Sequence, residues 1–400
     1  MRQVKFTLLF IFVCGFLTPK IFAQTSSQNS DRPITTAVPF LMIAPDARSG
    51  GMGNAGVSTS PDAFSMYWNP AKYAFIDKDF GFALGYIPWL RGLVNDINLA
   101  SVAGFKKFGD KQAVAASLRF FSMGTVQFTN DQGENTIQVK PSEFAIDAAY
   151  SRKFSKSISG GVAGRYIYSN LTGGGDPKND TKPGQSVAAD ISLYYHKELE
   201  IKGLTGSWFD FGFDISNIGA KISYGSSSVK TDFIPTNLRL GPSMTLDIDE
   251  YNRLSFGIDF NKLLVPTPPI YKVDSFGQPV VGVIAKGKDP NVSAISGIIQ
   301  SFYDAPNGIS EEVQEVNLSA YGEYWYSKLF AIRGGYFYES KHKGNRQYVT
   351  LGAGLRYNVF GLDFSYLIPM AANNPLQNTM QFTLHFNFDQ AGKKDKQTSK

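Results

Sequence analysis

The sequence predicts an all-β fold: a 14-stranded antiparallel transmembrane β-barrel preceded by a glycine-rich N-terminal segment. Three observations predict it. Apolar and polar residues alternate cleanly, the alternating segments have the length that a tilted strand needs to cross a bilayer, and the connections alternate between short and long. Composition agrees, because aromatic residues make up 14% of the 400 positions and charged residues only 18%. A closed sheet with one face in lipid and one in water requires such a mixture.

The first 23 residues have the features of a secretory signal peptide. Arg2 and Lys5 form a basic start, and the apolar run at 6–17 is too short to span a membrane. Cleavage after Ala23 would begin the mature chain at the next residue. The sequence therefore predicts export across the inner membrane.

Export removes Cys14, the only cysteine, so neither disulfides nor a metal thiolate site are predicted in the mature chain. Export also removes Arg2, Lys5 and Lys20, which lowers the formal charge from +5 to +2. A chain with so small a basic excess is not predicted to bind nucleic acid.

A polar stretch at 24–36 is predicted to be a periplasmic lead, and a glycine-rich segment follows at 45–71. In that segment Gly51, Gly53 and Gly56 have the spacing of a dinucleotide-binding fingerprint. The fingerprint requires a buried strand before it and a helix after it, within alternating strands and helices. Neither flank meets this requirement. The pattern instead favours a segment whose backbone packs closely against its surroundings.

From residue 79 to residue 388 the chain is predicted to be strand after strand. At 208–218, for example, Phe209, Phe211 and Phe213 lie on one face, and polar or small residues lie on the other. Fourteen segments follow this pattern: 79–89, 96–107, 112–122, 143–154, 157–169, 186–198, 208–217, 236–247, 252–262, 314–326, 329–338, 346–357, 360–368 and 379–388.

Connections of two lengths alternate between these segments. The short ones are 108–111, 155–156, 199–207, 248–251, 327–328 and 358–359. The long ones are 90–95, 123–142, 170–185, 218–235, 263–313, 339–345 and 369–378. Outer-membrane barrels have short periplasmic turns and long extracellular loops, so an even strand number predicts that both termini lie on the periplasmic side.

The predicted lumen face carries charges of both signs. Mixed signs favour an internal lattice of salt bridges around a plug over an ion-selective pore. The charged residues concerned are Asp147, Arg165, Asp190, Asp214, Arg239, Asp259, Glu323, Arg333, Arg356 and Asp363.

Chemistry-bearing motifs are not recognisable. His196, His342 and His385 are far apart and lack metal-ligand spacing, and the first and last are expected to be solvated in the lumen. No nucleophile elbow or zinc-binding helix appears. The sequence thus predicts no catalytic, cofactor or metal site, although a lipid-A-modifying enzyme with a Ser, His and acid cluster at the outer rim stays open as an alternative.

The longest connection, 263–313, contains one predicted helix. Asn291 can cap it, and its apolar positions share one face. Two interpretations stay open: the face packs on the barrel rim, or it is a docking surface for another protein. The apolar positions are Val292, Ile295, Ile298, Ile299 and Phe302.

Several motifs carry a family resemblance. The glycine turn at 51–56, the Asp-Ala at 62–63 and the Trp-Asn-Pro-Ala at 68–71 resemble those of the FadL-like outer-membrane barrels. The stretches 40–53 and 68–75, with IIQSFYDAP at 298–306, are similar to the PorV (LptO) family of the type IX secretion system. The resemblance implies a hatch that fills the lumen, with Gly51, Gly53, Gly56, Trp68, Asn69, Pro70 and Ala71 in it.

The resemblance also implies a function. Such a protein would be a non-enzymatic outer-membrane shuttle that binds the C-terminal signal domains of cargo leaving an SprA-type translocon. It would deliver the cargo to a PorU-type sortase, which joins it to lipopolysaccharide. The extracellular loops, chiefly 263–313, would be the contact surface. The resemblance does not fix individual residues, and those predicted to bind partners in this loop are Val292, Ile295, Ile298, Ile299, Phe302 and Tyr303.

A FadL-type transporter of hydrophobic small molecules is the second interpretation. It predicts an apolar pocket and a lateral opening, for which Gly81 and Gly85 in the first strand could provide a kink. The predicted organisation is therefore a signal peptide at 1–23, a lead and hatch at 24–78, a barrel at 79–388 and a flexible Lys-rich periplasmic tail at 389–400.

Overall fold

The computed structural model describes residues 31–130, 132–172, 182–225, 231–276, 278–371 and 374–389. The predicted signal peptide and all of the predicted tail after Asp389 lie outside these residues and stay predictions.

Fourteen antiparallel strands close into one barrel, and the first strand pairs with the last. Each predicted segment matches one of them, with ends that differ by at most two residues, so the predicted fold class and strand number are confirmed. The strands are β1 Phe80–Pro88, β2 Ile97–Phe108, β3 Gln112–Met123, β6 Ser142–Lys153, β7 Ile158–Asn170, β8 Gly184–Glu198, β9 Gly206–Gly219, β10 Asn237–Asp247, β11 Asn252–Leu263, β14 Val316–Tyr326, β15 Phe330–Tyr338, β16 Gln347–Tyr357, β17 Phe360–Pro369 and β18 Met380–Phe388.

Two short hairpins that the sequence did not predict lie in long loops: β4 Val126–Thr129 with β5 Asn135–Val139, and β12 Ile270–Val273 with β13 Pro279–Lys286. All four residues of β4 are exposed. Its residues Val126, Gln127, Phe128 and Thr129 do alternate between apolar and polar, but four residues are too few to cross a bilayer, the length on which prediction of the barrel strands depends.

The remaining elements are short. They are the helices α1 Ala47–Gly50, α2 Ser65–Trp68, α3 Ala294–Gln300 and α4 Ile309–Gln314, with 3-10 helices at Pro39–Met42 and Pro70–Phe75. Among the described residues, no helix has both the length and the apolar character needed to span a bilayer.

The two ends of the barrel differ. One end, here the short-turn end, carries the connections 109–111, 154–157, 199–205, 248–251, 327–329 and 358–359. The other, the long-loop end, carries 89–96, 124–141, 171–183, 220–236, 264–315, 339–346 and 370–379. The predicted alternation of connection lengths is therefore confirmed.

Closure of the barrel follows the apolar pattern. Phe80 pairs with Phe388, and Leu84 pairs with Leu384, without interruption of the β1–β18 register. Side chains on this outer face remain exposed because they face the bilayer, where apolar groups are favoured. The inner face packs on residues 38–76, which fill the lumen as a plug.

The chain enters the lumen from the long-loop end, contrary to the predicted periplasmic lead. Arg32 N donates to His342 O at 3.0 Å, and Ala37 N donates to Phe233 O at 2.9 Å, so residues 31–37 lie among the long loops. We call them the N-terminal strap. The plug then runs through the lumen to the short-turn end, where β1 must begin. Strand β18 ends there too, so the strap and the C-terminal end of β18 lie at opposite ends of the barrel.

This topology predicts which side of the membrane labels the strap. Thr35→Cys should react on intact cells with a maleimide carried on a polymer too large for porins, because Thr35 is exposed at the long-loop end. Asp110→Cys, exposed in a short turn, is the matched control and should react only after lysis. The reverse pattern would contradict the assignment of the long-loop end to the cell surface.

Candidate functional site

Backbone contacts hold the glycines of the plug against the wall. A Cβ added to Gly51 would lie 2.9 Å from the Cα of Gly352, and one added to Gly335 would lie 2.1 Å from the N of Gly53. Gly53 itself has a φ of +66°, which disfavours any other residue. The prediction of a segment with close backbone packing is confirmed.

Wall side chains bind the backbone of the same turn. Asp259 Oδ2 accepts from the N–H groups of Gly56 and Val57 at 2.7 and 2.9 Å. Thr350 Oγ1 accepts from Gly53 N at 2.8 Å. These N–H groups belong to no strand or helix, so the wall satisfies donors that would otherwise be buried without a partner.

A lattice of ion pairs surrounds the plug, as predicted. Arg48 of the plug donates to Glu323 at 3.1 and 3.0 Å and to Asp62 at 2.9 Å. Arg333 continues the lattice, donating to Glu323 at 2.7 Å and to Asp363 at 2.8 Å. All of these groups except the half-buried Asp62 are buried, so each charge depends on its partners.

His385 extends this lattice, contrary to its expected solvation in the lumen. It is 2% exposed and its Nε2 contacts Asp363. The sequence placed it correctly on the inner face, but it could not show that the plug would exclude water from it.

A second buried cluster lies on the opposite part of the wall, on β6, β7 and β8. Arg165 binds Asp147 and, at 2.9 Å, Asp190. Arg239 donates to the plug carbonyl of Tyr67 at 3.0 Å and stacks over its ring at 4.7 Å. Side chains of the wall thus reach the plug on more than one side.

The Trp-Asn-Pro-Ala motif at 68–71 anchors the C-terminal part of the plug. Asn69 Nδ2 donates to the carbonyl oxygens of Val57 and Leu193, each at 3.0 Å. Pro70 begins the second 3-10 helix, where its missing N–H costs nothing. Ala71 N donates to Ser192 Oγ at 3.0 Å. The motif therefore ties two parts of the plug to β8.

Trp68 completes this anchor by closing the glycine turn. Its Nε1 donates to Asp46 Oδ1 at 2.8 Å. Its ring would lie 2.3 Å from a Cβ on Gly56, so only glycine fits there. The structure thus brings all of the predicted hatch residues into one plug.

Strand β1 shows no lateral gap. Its pairing runs unbroken with β18 from Phe80 to Tyr86 and with β2 from Phe80 to Pro88. A Cβ on Gly85 would lie 2.2 Å from Pro45 O of the plug. Gly81 and Gly85 therefore allow close packing and not the kink that a lateral opening at β1 would need.

A group of ion pairs fixes the long loop to the barrel. Lys343 donates to Glu311 at 2.7 Å and to Glu315 at 2.9 Å, and Arg32 of the strap donates to Glu311 at 2.8 Å. Burial alone would raise the pKa of Glu311, but the hydrogen bonds from Arg32 and Lys343 hold it below its usual value. Burial raises the pKa of Asp304 nearby to about 6.

Helix α3 turns its apolar side chains outward. Ser293, not the predicted Asn291, caps it by accepting from Ser296 N at 3.2 Å. Gly297 faces inward, since a Cβ there would lie 2.6 Å from the ring of Phe233. The interpretation in which the apolar face packs on the barrel rim is therefore wrong for the outward positions.

The exposure of the predicted partner-binding residues is not uniform. Val292 and Ile298 are half-buried, and Val292 precedes the helix. Ile295 and Ile299 are 59% and 58% exposed, and Phe302 and Tyr303 are also exposed. We call these last four, with Ile309 and Val313 of α4, the apolar loop residues; all six are exposed.

Sequence reasoning missed Ile309 and Val313. Helix α4 lies directly before β14, where the predicted strand began too early, at residue 314. Their spacing of four is the helical signal that could have found them. Both contribute apolar surface at the long-loop end, where a soluble protein would rarely expose it.

Each histidine faces an aspartate rather than a cluster of ligands. His196 Nδ1 lies 2.6 Å from Asp210 Oδ1, and His342 Nδ1 lies 3.0 Å from Asp31 Oδ1. Within the described residues no group of three or more His, Cys, Asp or Glu side chains could hold a metal ion.

Comparison with known proteins gives a family. The model for the type IX secretion system protein PorV matches residues 25–270, which is more than half of the chain. No curated protein sequence matches.

Solved structures that match this chain are distant in sequence. The toluene transporter TodX of Pseudomonas putida is 10% identical, with 89% of this chain and 98% of that chain covered and a TM-score of 0.49. A FadL homologue of Pseudomonas aeruginosa is 10% identical, with 90% and 100% covered and a TM-score of 0.44. The toluene transporter TbuX of Ralstonia pickettii is 11% identical, with 86% and 98% covered and a TM-score of 0.45.

Proposed function

This chain belongs to the PorV family of type IX secretion system proteins, and we propose that it acts there as a non-enzymatic shuttle for secreted cargo. As an outer-membrane component it would receive the C-terminal signal domains of cargo from an SprA-type translocon. It would then carry the cargo to a PorU-type sortase and attachment complex, which joins it to lipopolysaccharide.

The observation that carries the proposal is the exposed apolar surface at the long-loop end. Ile295, Ile299 and Phe302 are directed away from the barrel although apolar side chains are favoured in a buried position. Large exposed apolar side chains on a well-anchored loop are typical of protein–protein interfaces, in which a few such anchors supply most of the binding free energy.

Rigidity of the loop supports the same function. Ion pairs of Lys343 with Glu311 and Glu315 hold α4 in place. Little conformational entropy would therefore be lost when a partner binds. A surface that is already ordered fits repeated loading and release of cargo.

The rival function, transport of hydrophobic small molecules, finds less support. The plug fills the middle of the lumen with buried side chains such as Phe40, Met66 and Tyr73. The β1 strand has no lateral gap through which a lipophilic molecule could leave. Transport would require the plug to move, whereas binding at the loops would not.

The test replaces the outward side chains only. We expect the triple variant Ile295→Ser, Ile299→Ser, Phe302→Ser to lose about tenfold or more of the surface proteins that co-purify with their C-terminal signal domains uncleaved. Leu93→Ser, an exposed apolar residue in the β1–β2 loop, is the control for a general loss of apolar surface.

Two results would count against the shuttle. One is equal recovery of cargo with the triple variant and with the intact chain. The other is a barrel that carries only lipid or fatty acid in both, which would favour the transporter.

A further inference from the structure

A cavity of about 760 Å³ opens at the long-loop end, between the N-terminal strap and loop residues at 171, 221–224, 231–233 and 290–291. Its walls are largely apolar, and a side chain of the wall strand β6 lies among them. The apolar lining comprises Ala37, Val38, Pro39, Met123, Leu171, Phe233 and Pro290.

That side chain from β6 is a carboxylate. Glu143 is 1% exposed and lines the cavity. Its Oε1 accepts from Ser169 Oγ at 2.6 Å, and the Tyr224 hydroxyl donates to the same Ser169 oxygen at 3.0 Å. Its Oε2 has no hydrogen-bond partner among the described residues. A buried carboxylate oxygen without a partner is costly, so the site is incomplete as it stands.

The other charges of the described lining do not complete it. Lys221 places its ammonium 4.0 Å from the centre of the Phe233 ring, and the only other charge is the carboxylate of Asp232. The described lining thus holds two acids and one base, and the base is already engaged by an aromatic face.

We propose that this cavity binds the basic side chain, lysine or arginine, of a polypeptide that docks at the long-loop end, with Glu143 as its counter-ion. Such a side chain combines one cationic head with an aliphatic stem, and the head would pair with Oε2 while the stem packs on the apolar walls. A divalent metal ion would need more oxygen ligands than the described lining of this cavity provides.

The choice of a polypeptide as the source rests on the proposed shuttle function, whereas the choice of a cation rests on the cavity alone. The volume exceeds that of one side chain, so neighbouring residues of the docking segment would also fit. The strap, itself a polypeptide segment outside any helix or strand, already forms one wall, with Thr35 and Thr36 in the lining.

A unique thiol measures the local charge. Cys14 is the only cysteine, so Leu171→Cys in a Cys14→Ser background places one thiol in the cavity lining. The purified barrel is treated with a cationic trimethylammonium methanethiosulfonate and with the anionic sulfonate of similar size. We expect the cationic reagent to react faster, and Glu143→Gln to reduce the ratio of the two rates roughly tenfold.

Ile34→Cys is the matched control, because it lies on the strap but lines an adjoining cavity of about 420 Å³, which Glu143 does not line. Its rate ratio should not respond to Glu143→Gln. An unchanged ratio at Leu171→Cys would overturn the cation site, as expected if another group of the chain already neutralises the carboxylate. Because no cargo is present, this result is independent of the shuttle.

Protection identifies the source of the cation. A short lysine-containing peptide should slow labelling of Leu171→Cys, its norleucine counterpart should not, and Glu143→Gln should abolish the difference. Equal protection by free cadaverine at the same concentration would overturn the polypeptide source. Protection by the norleucine peptide alone would overturn the role of the charge.

Discussion

Gly335→Val is expected to unseat the plug, whereas Gly334→Val, one residue earlier on β15, leaves it in place. A Cβ at Gly335 would lie 2.1 Å from Gly53 N and 2.2 Å from Met52 C, both backbone atoms that cannot rotate away. At Gly334 the nearest atom, Thr350 O, lies 3.9 Å away. Alternate residues of a strand face opposite sides, so the pair differs mainly in contact with the plug.

The expected effect is large because the clash involves backbone on both sides. Overpacking of a tight site costs roughly 1–3 kcal/mol, and here several contacts of the plug would be lost together. The measurement is the single-channel conductance of the purified barrel in a planar bilayer, with strand content checked by circular dichroism. Open channels in Gly335→Val alone would support the plug as the seal. Closed barrels in both variants would show that the plug tolerates displacement.

Arg48→Met is the second large effect, and we expect it to lower the free energy of unfolding by about 3–5 kcal/mol. The change removes the partner that Glu323 and Asp62 share, while Glu323 keeps Arg333. Asp62 would lose the one ion pair that it makes among the described residues, and the buried Glu323 would lose one of two. Urea unfolding of the barrel in lipid vesicles, followed by tryptophan fluorescence, measures the loss.

The control separates burial from charge. Lys78→Met removes a lysine that pairs with Asp389, and because both side chains are exposed (45% and 60%), a loss of about 1 kcal/mol or less is expected. Adding Glu323→Gln to Arg48→Met should cost less than the sum of the two single changes, because Arg48 and Glu323 pair with each other and this ion pair is lost only once in the double variant. Strict additivity would argue that Arg48 stabilises the plug by its packing alone.

The sequence predicted the barrel in detail for a physical reason. A strand between lipid and lumen must alternate, so segments such as 208–218 carry their structure in the local order of residues. The family resemblance, now confirmed, likewise depended on local motifs such as the glycine turn at 51–56. Charges of both signs on the lumen face were enough to predict a lattice around a plug.

The partners within that lattice could not be predicted, because they join residues far apart in the chain. Arg48 and Glu323 are separated by 275 positions, and Gly53 and Gly335 meet only when the barrel closes around the plug. The solvation expected for His385 was wrong for the same reason, since the plug that covers it comes from the other end of the chain.

The sequence also could not predict which way the side chains of α3 face or at which end of the barrel the lead lies. Local pattern predicts that α3 has an apolar face, but only tertiary packing decides that Gly297 lies against Phe233 and that Ile295 and Ile299 face outward. Composition described the lead as polar, yet its bonds to His342 and Phe233 place it at the long-loop end. Alternation of residues is a local property that the sequence determines, whereas the path of a segment through a closed barrel depends on contacts that exist only in the folded protein.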